Sequence, residues 1–134
     1  MGSAAAETFS KEERLCGKAA VSALVSGGKW GGTAHLRYCW LYREDGQPSR
    51  MLVSVPKRYF KRAVRRNLLK RRMREAYRTQ KALLGCDGVD FMLAWSSKEC
   101  GDWLTVRDEV AAALTRIGKA ARQRGSGQQN DSVR

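Results

Sequence analysis

Histidine is almost absent from this 134-residue sequence, in which His35 is the single example. No nucleophile motif, phosphate-binding loop or dinucleotide-binding fingerprint accompanies it. Acidic residues number 13 against 26 Lys and Arg, and they form isolated pairs rather than a cluster that could hold catalytic magnesium. We therefore predict no catalytic side chains and no metal or cofactor bound by the protein alone. The work of this chain is expected to be binding.

Cysteine pairs with metal-ligand spacing are also lacking. Cys16, Cys39, Cys86 and Cys100 include no CxxC pair. His35 and Cys39 share a face of a predicted strand, but a zinc site needs about four ligands. Reduced, buried thiols in a cytoplasmic protein are the better interpretation. No stretch approaches the ~18 apolar residues that would span a membrane, and residues 1–10 do not resemble a secretory signal.

Positive charge is what the sequence has in excess. The formal net charge is +13 and the isoelectric point is near 10.2, which indicates a nucleic acid or an anionic surface as partner. Of the residues from Lys57 to Lys81, twelve are Lys or Arg and only Glu75 is acidic. Such a run is tolerated most easily when a polyanion neutralises it.

Helical periodicity orders this basic run into two faces. Over residues 61–84, an apolar arc faces one way, consisting of Leu69, Met73, Ala76, Tyr77, Leu83 and Leu84. The opposite arc is a basic front of Asn67, Arg71, Arg74 and Arg78, flanked by Lys70 and Lys81. Side chains along such a front are roughly 5–6 Å apart, close to the spacing of successive phosphates. We predict an amphipathic helix that packs on the fold and binds a nucleic acid.

The segments around this helix predict a small α+β domain. A capping box at Ser10 and Glu13 predicts a first helix that ends at Gly27-Gly28. Residues 35–43 alternate as a strand, with Leu36, Tyr38, Trp40 and Tyr42 on one face. Residues 50–55 predict a second strand, and a hairpin between the two across the turn at 44–48 is the simplest pairing.

The C-terminal half completes the prediction. Residues 89–95 are largely apolar and suit the middle of a sheet. A last helix carries one apolar stripe, made of Trp103, Val106, Val110, Ala113, Leu114 and Ile117. We predict a flexible tail at 1–9, a single RNA-binding domain at 10–121 and a disordered tail at 122–134. The helices are expected to pack on the sheet as a two-layer sandwich.

RNA is the favoured partner over duplex DNA. A helix-turn-helix needs two adjacent helices, whereas the basic helix here lies between strands. A sheet with aromatic residues beside a basic helix suits single-stranded or folded RNA, in which bases stack and phosphates are held.

The central motif resembles the signature of the bacterial ribonuclease P protein component. The segment VSVPKR at 53–58, followed by RAVRRNLLKRRMREAYR at 62–78, is similar to the family pattern. The resemblance extends over about residues 12–118. It implies a fold like the ribosomal protein S5 domain 2-like fold, in the order αβββαβα, with a left-handed β-α-β crossover around the basic helix.

The resemblance also implies a function. Such a protein joins a catalytic RNA, ribonuclease P RNA, and the two cleave precursor tRNA to produce the mature 5′ end. The RNA and its Mg²⁺ ions in the holoenzyme carry out the hydrolysis, while the protein holds the 5′ leader. The expected partners are therefore ribonuclease P RNA and precursor tRNA, with no membrane.

Site residues follow from the resemblance by position. The RNA-binding residues that the resemblance implies are Arg66, Asn67, Lys70, Arg71 and Arg74, and the basic front adds Arg78. The leader-cleft residues are Val21, Val25, Tyr38, Trp40 and Lys57. Leu68 stands where the family has Arg, which leaves open whether one charged RNA contact is lost or is replaced by the nearby Arg72. Val21 and Val25 stand where the family often has aromatic residues.

Two other functions remain open from the sequence. A ribosomal or ribosome-assembly protein that only scaffolds RNA fits the charge, size and fold class equally well. A protein of anionic membrane surfaces would need the apolar arc of the basic helix to insert into lipid, and that arc is expected to pack on the sheet.

Overall fold

The computed structural model describes residues 13–15, 17–43 and 47–126, with side chains up to residue 123. The predicted tail at 1–9, the predicted N-cap Ser10, Cys16 and the turn residues 44–46 lie outside this description, as do residues 127–134. The elements are α1 (Lys18–Gly27), β1 (Lys29–Gly32), β2 (Leu36–Tyr42), β3 (Arg50–Ser54), α2 (Ala63–Leu84), β4 (Val89–Trp95) and α3 (Trp103–Ser126). The predicted order αβββαβα and the α+β class are confirmed.

The first helix begins later than the sequence predicted. Arg14 forms a parallel bridge with Met51, and the Leu15 N–H donates to the Met51 carbonyl over 3.0 Å. Gly17 then adopts a φ of 93°, a conformation that glycine tolerates better than other residues. Glu13 therefore precedes α1 instead of lying within its first turn, and the segment 13–15 extends the sheet edge at β3.

The sheet has the strand order β1-β2-β4-β3. β2 pairs antiparallel with β1 on one side and with β4 on the other. β3 runs parallel to β4, and α2 connects the two. The predicted hairpin between residues 35–43 and 50–55 is wrong, because β4 occupies the position beside β2. The prediction that residues 89–95 form a central strand is confirmed.

The main core lies between the sheet and helices α2 and α3. The predicted apolar arc of α2 is buried except for Leu83, which is 40% exposed. Gln80 has non-helical angles (φ −129°, ψ 21°), and this kink rotates the last turn of α2 away from the ideal helical phase. The predicted stripe of α3 is buried except for Trp103 at its first residue, and it continues to Ala121.

A second, smaller cluster lies on the other face of the sheet, beneath α1. Its buried members are Leu15, Leu24 and Cys39. The Cys39 Sγ lies 3.3 Å from the Leu24 carbonyl oxygen, to which it donates. At Gly28 a Cβ atom would come within 2.6 Å of the same sulfur, so only glycine allows the chain to leave α1 this close to β2. Among the described residues, α1 covers only part of this face.

A buried carboxylate ties the outer strand β3 to the centre of the sheet. Asp90 is 4% exposed and accepts hydrogen bonds from Arg50 Nε and Nη2 over 2.8 and 2.7 Å. The Nε atom of Arg43 lies 3.0 Å from Asp90 Oδ1. Beside it, Ser49 Oγ accepts from the Val89 N–H and donates to the Cys86 carbonyl. These contacts fix the parallel pair where it begins.

The last helix extends beyond its predicted end. It continues to Ser126, and Arg122 Nη1 donates to the Leu84 carbonyl over 3.0 Å. Gly118 faces the same carbonyl, where a Cβ atom would approach to 2.2 Å, so the ends of α2 and α3 are in close contact. The predicted tail boundary at 122 therefore falls inside the helix. Among the described residues, no helix has both the length and the apolar character of a membrane span.

Candidate nucleic-acid interface

A basic groove of about 450 Å³ runs along the solvent side of α2. Its lining contains five cationic side chains, one amide and one carboxylate, namely Arg14, Asn67, Lys70, Arg71, Arg74, Glu75 and Arg78. The predicted basic front is therefore continuous in space. A concave strip with this excess of cations attracts a chain of phosphates.

The helix presents this front because its other side is committed to the core. Leu69 and Met73 are fully buried against the sheet and α3, and helical geometry then places positions 67, 71, 74 and 78 on the opposite side. Arg71 and Arg74 are exposed, while Lys70 is half-buried at the flank. Packing of the core therefore determines which side of α2 carries the cations.

Two acidic residues reduce the positive charge of the groove near its C-terminal end. Glu75 Oε2 accepts from Arg78 Nη2 over 2.5 Å, and this hydrogen bond lowers the pKa of Glu75. Lys81, predicted to flank the front, lies 2.6 Å from Glu13 and is only 17% exposed. It also lies 5.9 Å from the centroid of the Tyr77 ring, whose pKa is raised by burial and then by Glu13. The groove is therefore less positive around Arg78 than around Arg71 and Arg74.

Two arginines of the predicted set do not face the groove. Arg66 Nη1 donates to the carbonyls of Phe60 and Lys61, both at 2.8 Å, so Arg66 fastens the segment that precedes α2. Arg72 Nη1 donates to the Gly101 carbonyl just before α3. Arg72 is turned away from the groove, so the lining of the groove does not include this candidate replacement for the Arg that the family has at position 68. Leu68 itself is half-buried.

Arg14 is a groove residue that the sequence analysis did not identify. It is remote in sequence from α2 and follows Glu13, so no local pattern marks it. It reaches the groove because the segment 13–15 runs beside β3, with Arg14 bridged to Met51. Only the tertiary pairing brings its charge to the front.

An apolar groove of about 850 Å³ lies beside α1, on the opposite face of the sheet from α2. It is lined by Leu15, Gly17, Lys18, Val21, Ser22, Val25, Ser26 and Leu52. Val25 is 44% exposed and Val21 is half-buried. The two valines predicted for a cleft therefore line the same groove, and Lys18 is the single cation among the described residues of its lining.

The other residues predicted for that cleft are elsewhere. Trp40 is 5% exposed and belongs to the main core, and Tyr38 packs against the same core. Both side chains point to the face of the sheet that α2 and α3 cover, so their assignment to the cleft is wrong. The alternation of β2 was predicted correctly, but alternation does not reveal which helix covers which face. Lys57 is exposed in the segment after β3 and is not among the groove residues.

The ionisable side chains form no group with the character of a metal site. Within residues 13–15, 17–43 and 47–123, no three His, Cys, Asp or Glu side chains lie together as ligands. Burial raises the pKa of the thiols of Cys39 and Cys86, which makes both poor nucleophiles near neutral pH. The surfaces described above are suited to binding.

Comparisons with known proteins agree on one family. The family model described as Ribonuclease P matches residues 9–118. A Porphyromonas gingivalis protein named ribonuclease P protein component is 35% identical over 127 residues, covering 87% of this chain and 91% of that protein. The structure of the RNase P protein from Thermotoga maritima aligns with a TM-score of 0.68 at 27% identity, over 78% of this chain and 97% of that one. The Staphylococcus aureus RNase P protein, at 19% identity and a TM-score of 0.68, shows the same fold.

Proposed function

Because this chain belongs to the ribonuclease P protein family, we propose that it binds ribonuclease P RNA through the basic groove and the 5′ leader of precursor tRNA beside α1. In this role it assists the Mg²⁺-dependent removal of the leader that produces the mature 5′ end of tRNA. A cytoplasmic location follows from the substrate.

The observation that carries the proposal is the imbalance of charge in the basic groove. Five cations face one carboxylate there, and that carboxylate is already paired with Arg78. A folded RNA offers a matching row of phosphates, and each phosphate contact releases a counterion. Asn67 at the N-terminal end of the row can donate to a phosphate or to a base edge.

The groove beside α1 suits a single strand better than a duplex. Its apolar floor can contact unpaired bases, and Lys18 can approach one phosphate at its rim. Valine side chains contribute small contact areas compared with aromatic rings. We therefore propose that this groove holds the leader with little dependence on its sequence.

The chemical step is assigned to the RNA partner. Within residues 13–15, 17–43 and 47–123, no three His, Cys, Asp or Glu side chains lie together where they could hold magnesium. The protein instead neutralises phosphates that would otherwise repel one another, which lowers the Mg²⁺ concentration needed for an active RNA.

Reconstitution tests this function. The purified chain is combined with a bacterial ribonuclease P RNA and precursor tRNA, and cleavage is measured across a Mg²⁺ titration, with the RNA alone and the protein alone as controls. We expect the Mg²⁺ midpoint to fall on addition of protein, and the protein alone to be inactive. Binding without any gain in cleavage would instead support an RNA-scaffolding role.

A leader-length series tests the second surface. Precursor tRNAs with progressively shorter leaders are bound to the reconstituted holoenzyme under conditions that prevent cleavage. Affinity should fall as the leader is shortened, and mature tRNA should bind with the affinity of the leaderless substrate. Equal affinities at all lengths would contradict leader binding by this protein.

A further inference from the structure

Trp30 is exposed on the face of the sheet that α1 leaves uncovered. It lies on the edge strand β1 and is 45% exposed. In the strand register it is opposite Cys39, which belongs to the cluster under α1, so Trp30 is on the α1 face of the sheet. Gly32, the next residue of β1 on this face, has no side chain that could cover the indole. A large aromatic ring is thus presented to solvent beside α1.

A cation accompanies this ring. The Arg37 guanidinium lies 5.1 Å from the centroid of the Trp30 ring, within the range of a cation–π contact. Arg37 is exposed and precedes Cys39 by two residues, so it is on the same face. Neither β1 nor β2 contains an acidic residue. The pair therefore combines a stacking surface with a positive charge.

The hairpin that carries the pair is anchored from the opposite layer. Arg116 of α3 donates to the Gly32 carbonyl. Glu109 Oε1 accepts from the Thr33 hydroxyl and, over 2.7 Å, from the His35 N–H. The turn between β1 and β2 is thereby fixed to α3, so the backbone that carries the ring is held in place before any ligand arrives. Binding to a pre-organised surface loses less conformational entropy.

The ring is within reach of the proposed leader groove. The row of side chains that starts at Trp30 continues through Cys39 and Met92 to Leu52, and Leu52 lines that groove. Three strand spacings separate the two ends, which is about 14 Å. A few nucleotides of single-stranded RNA span this distance.

We propose that Trp30 and Arg37 form a stacking site for one unpaired nucleobase of the leader, with Arg37 also contacting a neighbouring phosphate. This inference rests on the proposed function. It gives the leader-binding face the aromatic contact that Val21 and Val25 do not provide. Its occupant is single-stranded RNA because the site joins an aromatic surface to positive charge, the combination that binds unpaired bases.

An abasic scan tests the site. In the reconstituted holoenzyme, leaders that carry one abasic nucleotide at successive positions are bound in the absence of cleavage. With the unmodified protein, one position should weaken binding by about 5- to 150-fold, the range for one base–aromatic stack. With Trp30→Ala, the intact leader should already bind that much more weakly, and the abasic position should have no further effect. Trp30→Phe should retain most of the affinity.

Controls separate this site from the function as a whole. Trp103→Ala removes another exposed tryptophan, which is 37% exposed at the start of α3, and it should leave leader affinity unchanged. Equal effects of Trp30→Ala and Trp103→Ala would overturn the stacking site while leader binding stands. If the affinity of the holoenzyme with the unmodified protein did not depend on the leader at all, the proposed leader binding itself would be overturned. If Trp30→Ala does not fold, Arg37→Gln serves instead, and an unchanged salt dependence of leader binding would count against the site.

Discussion

Arg71 and Arg72 are adjacent on α2, carry the same charge and face different surroundings. Arg71 is exposed in the basic groove, whereas Arg72 is half-buried and donates to the Gly101 carbonyl at the start of α3. Arg71→Ala and Arg72→Ala therefore make the same change in net charge. Comparing them separates binding to RNA from stability of the fold.

Arg71→Ala should weaken RNA binding and leave the fold intact. One lost phosphate contact lowers the slope of log K against log salt by about 0.7–0.9. If the binding lines of the two proteins meet near 1 M salt, this slope corresponds to about fivefold weaker binding at 0.15 M salt. Exposed substitutions change the free energy of unfolding by no more than about 0.5 kcal/mol.

Arg72→Ala should do the reverse. It removes a charged hydrogen bond that joins α2 to the start of α3, at a cost of about 1–2 kcal/mol. For a domain of this size the melting temperature should fall by roughly 3–8 °C. Thermal melts and salt-titrated binding to ribonuclease P RNA measure the two effects. If Arg72→Ala reduced the salt slope as much as Arg71→Ala without loss of stability, the groove would not be the RNA-binding face.

Three further changes test other parts of the structure. Asp90→Asn leaves two arginines beside a neutral amide and should lower the free energy of unfolding by about 3 kcal/mol, measured by urea denaturation; an unchanged midpoint would contradict the role of this carboxylate. Burial alone would raise the pKa of Glu109, but hydrogen bonds from Thr33 and His35 outweigh it and the pKa is lowered from 4.5, so the stability that Glu109 contributes is present above pH 4.5 and is lost as pH falls through the folded-state pKa. The melting temperature of Glu109→Gln should therefore fall less in acid than that of the unmodified protein. Melting temperatures that fell by the same amount in both proteins would count against this account. Leu68→Arg should fold normally and tighten RNA binding at low salt, because position 68 is at the flank of the basic front; unfolding of this variant would show that Leu68 belongs to the core.

Periodicity within single elements could be predicted from the sequence. The buried face of α2 followed from residues such as Leu69 and Met73 because a helix of 3.6 residues per turn must bury one side. The prediction failed at Leu83, where the kink at Gln80 changes the phase, and a kink of this kind leaves no signal in the hydrophobic pattern. The central position of β4 could also be predicted, since apolar residues on both faces of a strand require cover on both sides.

Relations between distant elements could not be predicted in the same way. A hairpin was the simplest pairing for two strands close in sequence, yet β4 lies between them because its apolar surface is best buried at the centre. Trp40 shares its face with Leu36, as alternation required, but nothing in the alternation indicated which helices cover that face. Arg14 could not be predicted as part of the candidate site either, because it reaches the groove through a contact with β3 that no local pattern encodes.

The position of β4 has a consequence for synthesis on the ribosome. β4 is the strand on which β2 and β3 both pair, yet it is the last strand in the chain. Between the end of β3 at Ser54 and the start of β4 at Val89, the ribosome must add 34 intervening residues. At about 5–20 residues per second this takes roughly 2–7 seconds. During that interval β2 and β3 each have a side without its final partner, and the most basic stretch of the chain emerges close to ribosomal RNA before α3 exists to fix its orientation.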